Sequence, residues 1–356
     1  MRFLIHTGNA DAVVSAGTTK KRQTREETIM RRLLSVLFAG ALLGIPVNSN
    51  AQVASDYPNR SIRLIVGFGP GGATDTFTRI FSGPLSKALG QTVFVENVAG
   101  ASGYIGWRTV ATSSADGYTL MMAENALVIR PGFKDIKPQF DPSTEFAPVA
   151  FAATSPLAIC VANTISANNM KELIALSHSS SKKLTFASAG VTSVSQLVWD
   201  VVRDGAKIDA IDVPYRGGGP AMADLVAGHV DLTLPSSQVA KPLVDTKRIK
   251  CLAVTGKTRS PALPDVPTLE EAGIKHADVD LRFWFAVFGP KGLPADLRAK
   301  LQQAIKASLE APELKERLKS LDIAPEYAGG PELGARVASD IKNWGAFIQA
   351  AGLKGQ

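Results

Sequence analysis

Cysteine and histidine, the residues most often recruited for metal binding and nucleophilic chemistry, are almost missing. Cys160 and Cys251 are the two thiols, and His6, His178, His229 and His276 lie at spacings unlike those of metal ligands. A zinc or other metal site is therefore not expected. No G-x-S-x-G elbow, H-E-x-x-H helix or phosphate-loop lysine occurs, so neither the common hydrolase motifs nor a catalytic residue can be named. Carboxylate pairs of the glycosidase kind leave no local mark and stay open as a minor alternative. No Lys/Arg run interleaved with aromatics suggests nucleic-acid binding.

Long hydrophobic runs are lacking too. The first apolar run, Leu33 to Ile45, is too short to span a bilayer. Met30-Arg31-Arg32 precedes it and Ser49-Asn50-Ala51 follows, which reads as a secretory signal peptide over about residues 30–51, with residues 1–29 an upstream extension. A membrane anchor is the alternative, opposed by Pro46 and the polar tail; no cysteine follows to carry a lipid. The formal charge of +7 owes much to this region, since residues 1–51 hold 7 of the 39 basic and 3 of the 32 acidic side chains, leaving +3 for the rest. Charge thus gives little attraction for polyanions. Both cysteines lie in apolar strand-like runs, LAICVAN and IKCLAVTG; export permits a disulfide, and two buried thiols are the plainer expectation.

Alternating strand-like and helical segments are abundant. Strands are expected at 62–66, 93–96, 118–123, 157–161, 184–187, 211–214, 230–234, 251–254 and 284–288, mostly separated by helices, which is the pattern of an α/β fold with mainly parallel sheets. Leu297, Leu301, Ile305 and Leu309 form one apolar helical stripe, and Leu333, Val337, Ile341, Trp344 and Ile348 another.

Three strand–turn–helix junctions stand out. Ile62 to Val66 runs into Gly67-Phe68-Gly69-Pro70-Gly71-Gly72 and then a helix; Ala187-Ser188-Ala189-Gly190-Val191-Thr192-Ser193 and Asp212 to Pro220 repeat the layout in unlike form. Such turns deliver an anion to a helix N-terminus, where backbone N–H groups are unpaired and the dipole is positive. The spacing Gly67-x-Gly69-x-x-Gly72, with Glu96 closing the next strand, also imitates a dinucleotide fingerprint, so an oxidoreductase is the rival reading. Pro70 in the turn and the export signal speak against it. Turns of this kind in two sheet halves suggest two lobes closing over one cleft.

Several segments, in order, resemble the periplasmic solute-binding receptors of tripartite tricarboxylate transporters, the Bug receptors: Pro70-Gly71-Gly72-Ala73-Thr74-Asp75, Val95-Glu96-Asn97, Asp116 to Leu120, Val213 to Gly218, and Leu252 through Thr255 to Arg259 and on to Thr268. The resemblance covers the chain from Tyr57 to the last helix. It implies an α/β, bilobal periplasmic-binding-protein fold of type II, the Venus-flytrap, with 57–155 plus 283–356 as one lobe and 156–282 as the other. It further implies a periplasmic, monomeric receptor, without cofactor or catalysis, that hands a small carboxylate to the membrane permease subunits of the transporter. A periplasmic ligand-sensing subunit would use the same pocket.

The ligand-binding residues expected on these grounds are Phe68, Gly69, Pro70, Gly71, Gly72, Thr74, Asp75, Asn125, Ser188, Gly190, Thr192, Ser193, Gly217, Gly218 and Ser236. Some of the glycines serve only a turn with positive φ, and the serines at 236 and 237 also suit helix caps. Asp75 has two readings, favourable placement in a first helical turn or, by resemblance, a pocket residue that orders waters or turn amides. The sequence departs from the family's usual pattern at Val98-Ala99, Thr192, Gln196 and Glu124. If Glu124 faces the cleft, the ligand is expected to carry an amine or hydroxyl donor; a solvated glutamate is the plainer alternative.

Overall fold

Residues 56–137, 140–179, 181–274 and 281–355 are described by a computed structural model; the expected signal segment lies outside them. The first run of elements is β1 (Ile62–Val66), α1 (Ala73–Leu89), β2 (Val93–Asn97), α2 (Tyr104–Ala111), β3 (Thr119–Ala123), the short helices α3 (Ala126–Ile129) and α4 (Pro142–Glu145), and β4 (Phe146–Ser155). A second run holds β5 (Ala158–Ala162), α5 (Met170–Ser179), β6 (Leu184–Ser188), α6 (Val194–Ala206), β7 (Ala210–Pro214), α7 (Gly218–Ala227), β8 (Leu232–Thr233), α8 (Ser237–Asp245) and β9 (Ile249–Val254). The chain closes with β10 (Phe283–Pro290), α9 (Ala295–Glu310), α10 (Pro312–Ser320), β11 (Ala324–Ala328) and α11 (Gly330–Ala350).

These strands build two sheets, β11-β4-β10-β3-β1-β2 and β7-β6-β8-β5-β9. Both are mixed, which corrects the expectation of mainly parallel sheets. β1 pairs in parallel with β2 and β3, and β6 with β7 and β8. β10 runs antiparallel to β3 and β4, and β5 antiparallel to β8 and β9. The fold is a bilobal α/β fold, each lobe resting on one sheet.

Packing follows from the helical spacing of large apolar residues. Phe77, Phe81 and Leu85 fall on one face of α1 and are buried. Phe77 stacks on Phe285 of β10 with ring centroids 4.3 Å apart. In the other lobe Trp199 of α6 stacks on Phe186 of β6 at 4.5 Å. Such pairs add about 0.5–1.5 kcal/mol beyond the area they bury.

β4 and β11 were not anticipated. β4 is buried at nine of its ten positions, interrupted only by Pro148, and its four alanines give it little strand propensity of its own. Its two sheet neighbours, β10 and β11, hold it in place. β11 is a short, mostly exposed edge carrying Pro325, a residue that edges tolerate.

Cys160 of β5 and Cys251 of β9 are register partners and are joined by a disulfide, with Cα atoms 3.9 Å apart. The expectation of two free thiols is therefore corrected: sequence shows two apolar runs but not that antiparallel pairing sets them opposite each other. The bond closes a loop across 91 residues of sequence separation. Protein denatured without reductant should show no titratable thiol, and the double variant Cys160→Ala, Cys251→Ala should lose about 2–4 kcal/mol in chemical denaturation. Two reactive thiols in the oxidised protein would contradict the pairing.

Candidate functional site

The turn after β1 and the turn after β7 meet backbone to backbone. Gly69 N–H donates to Arg216 O at 3.3 Å. A Cβ placed on Gly219 would lie 1.9 Å from Pro70 O, and one on Gly217 would lie 3.0 Å from Gly69 N. Gln238 of the second lobe reaches the first, its Nε2 donating to Ala73 O at 2.7 Å. The lobes are thus in contact across the cleft, and only glycine at 219 permits that approach.

Behind this contact lies a cavity of about 50 Å³, lined by residues of both lobes. Phe68, Gly72, Ala73, Thr74, Glu124 and Phe283 come from the first; Ser193, Val194, Ser195, Gly218, Thr233 and Ser236 are among those from the second. Four helices, α1, α6, α7 and α8, begin at its wall. In α1 the helical hydrogen bonds start at Thr76 N–H to Gly72 O, and in α6 at Leu197 N–H to Ser193 O, so the N–H groups of Ala73, Thr74 and Val194 precede their ladders. The positive ends of four helix dipoles converge there. Among the lining residues there is no lysine, arginine or histidine, and Glu124 is the one ionisable group.

The expected residues separate into three groups. Phe68, Gly72, Thr74, Ser193, Gly218 and Ser236 line the cavity. Ser236 Oγ is buried with no hydrogen-bond partner among the described residues. Gly69, Pro70 and Gly217 form the lobe-to-lobe contact and stand off the cavity wall. The remainder shape the turns. Gly71, at φ 80°, donates its N–H to Asp75 Oδ2 at 2.9 Å. Asp75 also accepts from Arg79 Nε at 2.9 Å and from Asn97 Nδ2 at 2.9 Å, and Asn97 Nδ2 donates to Phe68 O as well. Burial pushes the Asp75 carboxyl upward, yet the hydrogen bonds from Arg79, Gly71 and Asn97 outweigh it and hold the group below its ordinary range. Asp75 therefore braces the glycine turn from behind.

Asn125 is engaged elsewhere: its Nδ2 donates to Arg282 O at 3.1 Å and its Oδ1 accepts from Trp284 N–H at 2.8 Å, pinning the chain where it re-enters the first sheet. Ser188 Oγ accepts from Gly190 N–H at 3.3 Å, and Gly190 O accepts the Ser193 hydroxyl at 2.7 Å. Thr192 is buried, its hydroxyl without a partner among the described residues and away from the cavity wall. Ser195 and Gln238 were not singled out from the sequence, and Gly219 only as part of a glycine turn; the approach of Gly219 to Pro70 and the Gln238 bond to Ala73 O exist only when the lobes meet.

Glu124 does face the cavity. It follows β3 directly, is 1% exposed, and its Oε2 accepts from Ala126 N–H at 2.9 Å. Burial pushes its carboxyl up to about 8, the Ala126 bond pulling weakly the other way.

The sequence profile of the tripartite tricarboxylate transporter family receptor matches residues 77–353. The chain belongs to this receptor family. It is 36% identical over 316 residues to a protein of the UPF0065 group in the tcbD-tcbE intergenic region of Pseudomonas sp. strain P51, covering 88% of this chain and 93% of that one. The structure of the periplasmic binding protein BugD superposes with a TM-score of 0.80 at 31% identity, over 84% of this chain and all of that one. MatC from Rhodopseudomonas palustris, solved with bound malate, gives 0.74 at 29% identity over 82% and 100% of the respective chains. The dinucleotide reading falls away: the glycine turn packs against Gly217 and Gly219 of the other lobe, where a cofactor pyrophosphate would have to lie.

Two measurements probe this geometry. Gly219→Ala places a methyl against Pro70 O; the variant should bind its solute at least about tenfold more weakly than wild type, as read by calorimetry. For Glu124, folding holds the proton more tightly than an unfolded chain titrating near 4.5. The stability that this contributes is complete below that pH and is lost as pH rises toward about 8. Ligand-free Glu124→Gln should therefore melt increasingly above wild type from pH 5 to pH 8; parallel melting curves across that range would contradict a buried, uncompensated carboxyl.

Proposed function

We propose that the cavity holds one small organic carboxylate, clasped between a lobe of residues 57–155 plus 283–356 and a lobe of residues 156–282, and that the protein is a monomeric periplasmic receptor which presents the solute unchanged to the permease of its transporter. The observation that carries the reading is the meeting of four helix N-termini on a cavity without a cationic side chain. A carboxylate held this way is bound by neutral donors: the backbone amides at the starts of α1 and α6, the hydroxyl of Thr74, and the unpartnered Ser236 Oγ. Charge-assisted hydrogen bonds supply roughly 1.5–3 kcal/mol each and a helix dipole about 0.3–1. Three or four donors meet the roughly 8 kcal/mol of micromolar binding. Malate in the related MatC is a ligand of this chemical class.

A thermal-shift screen against mono-, di- and tricarboxylates, amino acids, aromatic acids and NAD tests the reading. A carboxylate at 100 times its Kd should stabilise by about 2.7 kcal/mol, and Ser236→Ala should weaken that response without lowering the ligand-free melting temperature. A shift with NAD alone would overturn it.

A further inference from the structure

A buried carboxylate inside an anion site is a conflict of charge, and Glu124 creates one here. Every other polar group on the cavity wall is neutral: hydroxyls of Thr74, Ser193, Ser195, Thr233 and Ser236, and backbone amides. The single hydrogen bond that the structure gives the Glu124 carboxylate comes from Ala126 N–H to Oε2. A carboxylate has about four acceptor positions, of which that bond fills one, and the residue lines the cavity. Arg79 does not relieve it, because its guanidinium is committed to Asp75.

We propose that Glu124 is the specificity-determining residue of the cleft and pairs with an ammonium group of the solute, which makes the ligand a compact amino-carboxylate rather than a simple di- or tricarboxylate. The inference rests on the carboxylate reading above and names its substrate class. With the carboxylate end at the helix N-termini and Ser236, an ammonium at Glu124 neutralises the one uncompensated charge in the cavity; a second carboxylate there would set two anions together in a site with no cation. A zwitterion also matches the mixed wall, where positive helix ends and one negative side chain share about 50 Å³. Burial raises the proton affinity of Glu124, so an ammonium that pairs with it must displace that proton on binding.

The test is calorimetry with the ligand-free protein and matched pairs of acids that differ by the amine: aspartate and succinate, glutamate and glutarate, alanine and propionate, extended to the other common amino acids and their deamino forms. Wild type should bind the amino member of at least one pair about 30-fold or more tightly than its partner, as loss of one member of a buried charge pair entails. Glu124→Gln keeps an oxygen for Ala126 N–H and should abolish that preference, mainly by weakening the amino member. Ser236→Ala should weaken both members of the pair alike. A wild-type preference for the deamino acid that Glu124→Gln diminishes would overturn the proposal in favour of a protonated Glu124 donating to a second carboxylate. Unchanged selectivity in Glu124→Gln would overturn it outright while leaving the carboxylate reading intact. Binding of neither member of any pair by any of the three proteins would overturn this proposal, and would remove the carboxylate reading with it if tricarboxylates and aromatic acids also fail to bind.

Discussion

The closed cleft depends on two stretches of main chain touching where side chains would keep them apart. Pro70 O lies against Gly219, and Gly69 N–H donates to Arg216 O. Without that approach the helix N-termini of the two lobes would stand around separate depressions, each wet and each weakly polarising. Brought together they enclose one space in which dipoles of modest individual strength, about 0.3–1 kcal/mol in water, act on the same charge through less intervening solvent. Gln238 adds a side-chain strap from the second lobe to Ala73 O of the first.

Holding an anion with amides and hydroxyls has a different character from holding it with arginine. Neutral donors are fixed by the backbone, so they give direction at little side-chain entropy cost, and they leave no buried cation to compensate when the site empties. The rigidity has to come from behind. Asp75, Asn97 and Arg79 supply it, joining Gly71 N–H, Phe68 O and the carboxylate in one network beneath the turn. A receptor must also release what it binds, and a grip of several modest contacts distributed over two lobes is lost stepwise as they part.

Much of this was legible in the sequence because glycine clusters between a strand and a helix have a narrow set of physical uses. Phe68, Gly72, Thr74, Ser193 and Gly218 were named from such turns, Ser236 from the end of the strand expected at 230–234, and all six line the cavity. Asn125 was placed at the right strand end, but its amide is spent on Arg282 O and Trp284 N–H, contacts across more than 150 positions that no local pattern reveals. Glu124 could be flagged as unusual and not oriented, since a residue just beyond a strand end can turn either way. β4 escaped because alanine-rich strands are defined by their neighbours, and the disulfide because register between β5 and β9 is a tertiary fact.

The placement of β10 has a consequence for how the protein comes into being. β10 lies between β3 and β4 in the middle of the first sheet, although the entire second lobe is encoded between β4 and β10. A ribosome that has made only the first 155 residues has produced two fragments of a sheet with nothing to join them, and that gap closes only after Pro290 has emerged. Long-range strand pairing of this sort is slow, because loop closure must precede its reward. Synthesis order therefore leaves the first sheet unfinished until late in the chain, and a lobe that is not yet closed can still be threaded through a narrow pore.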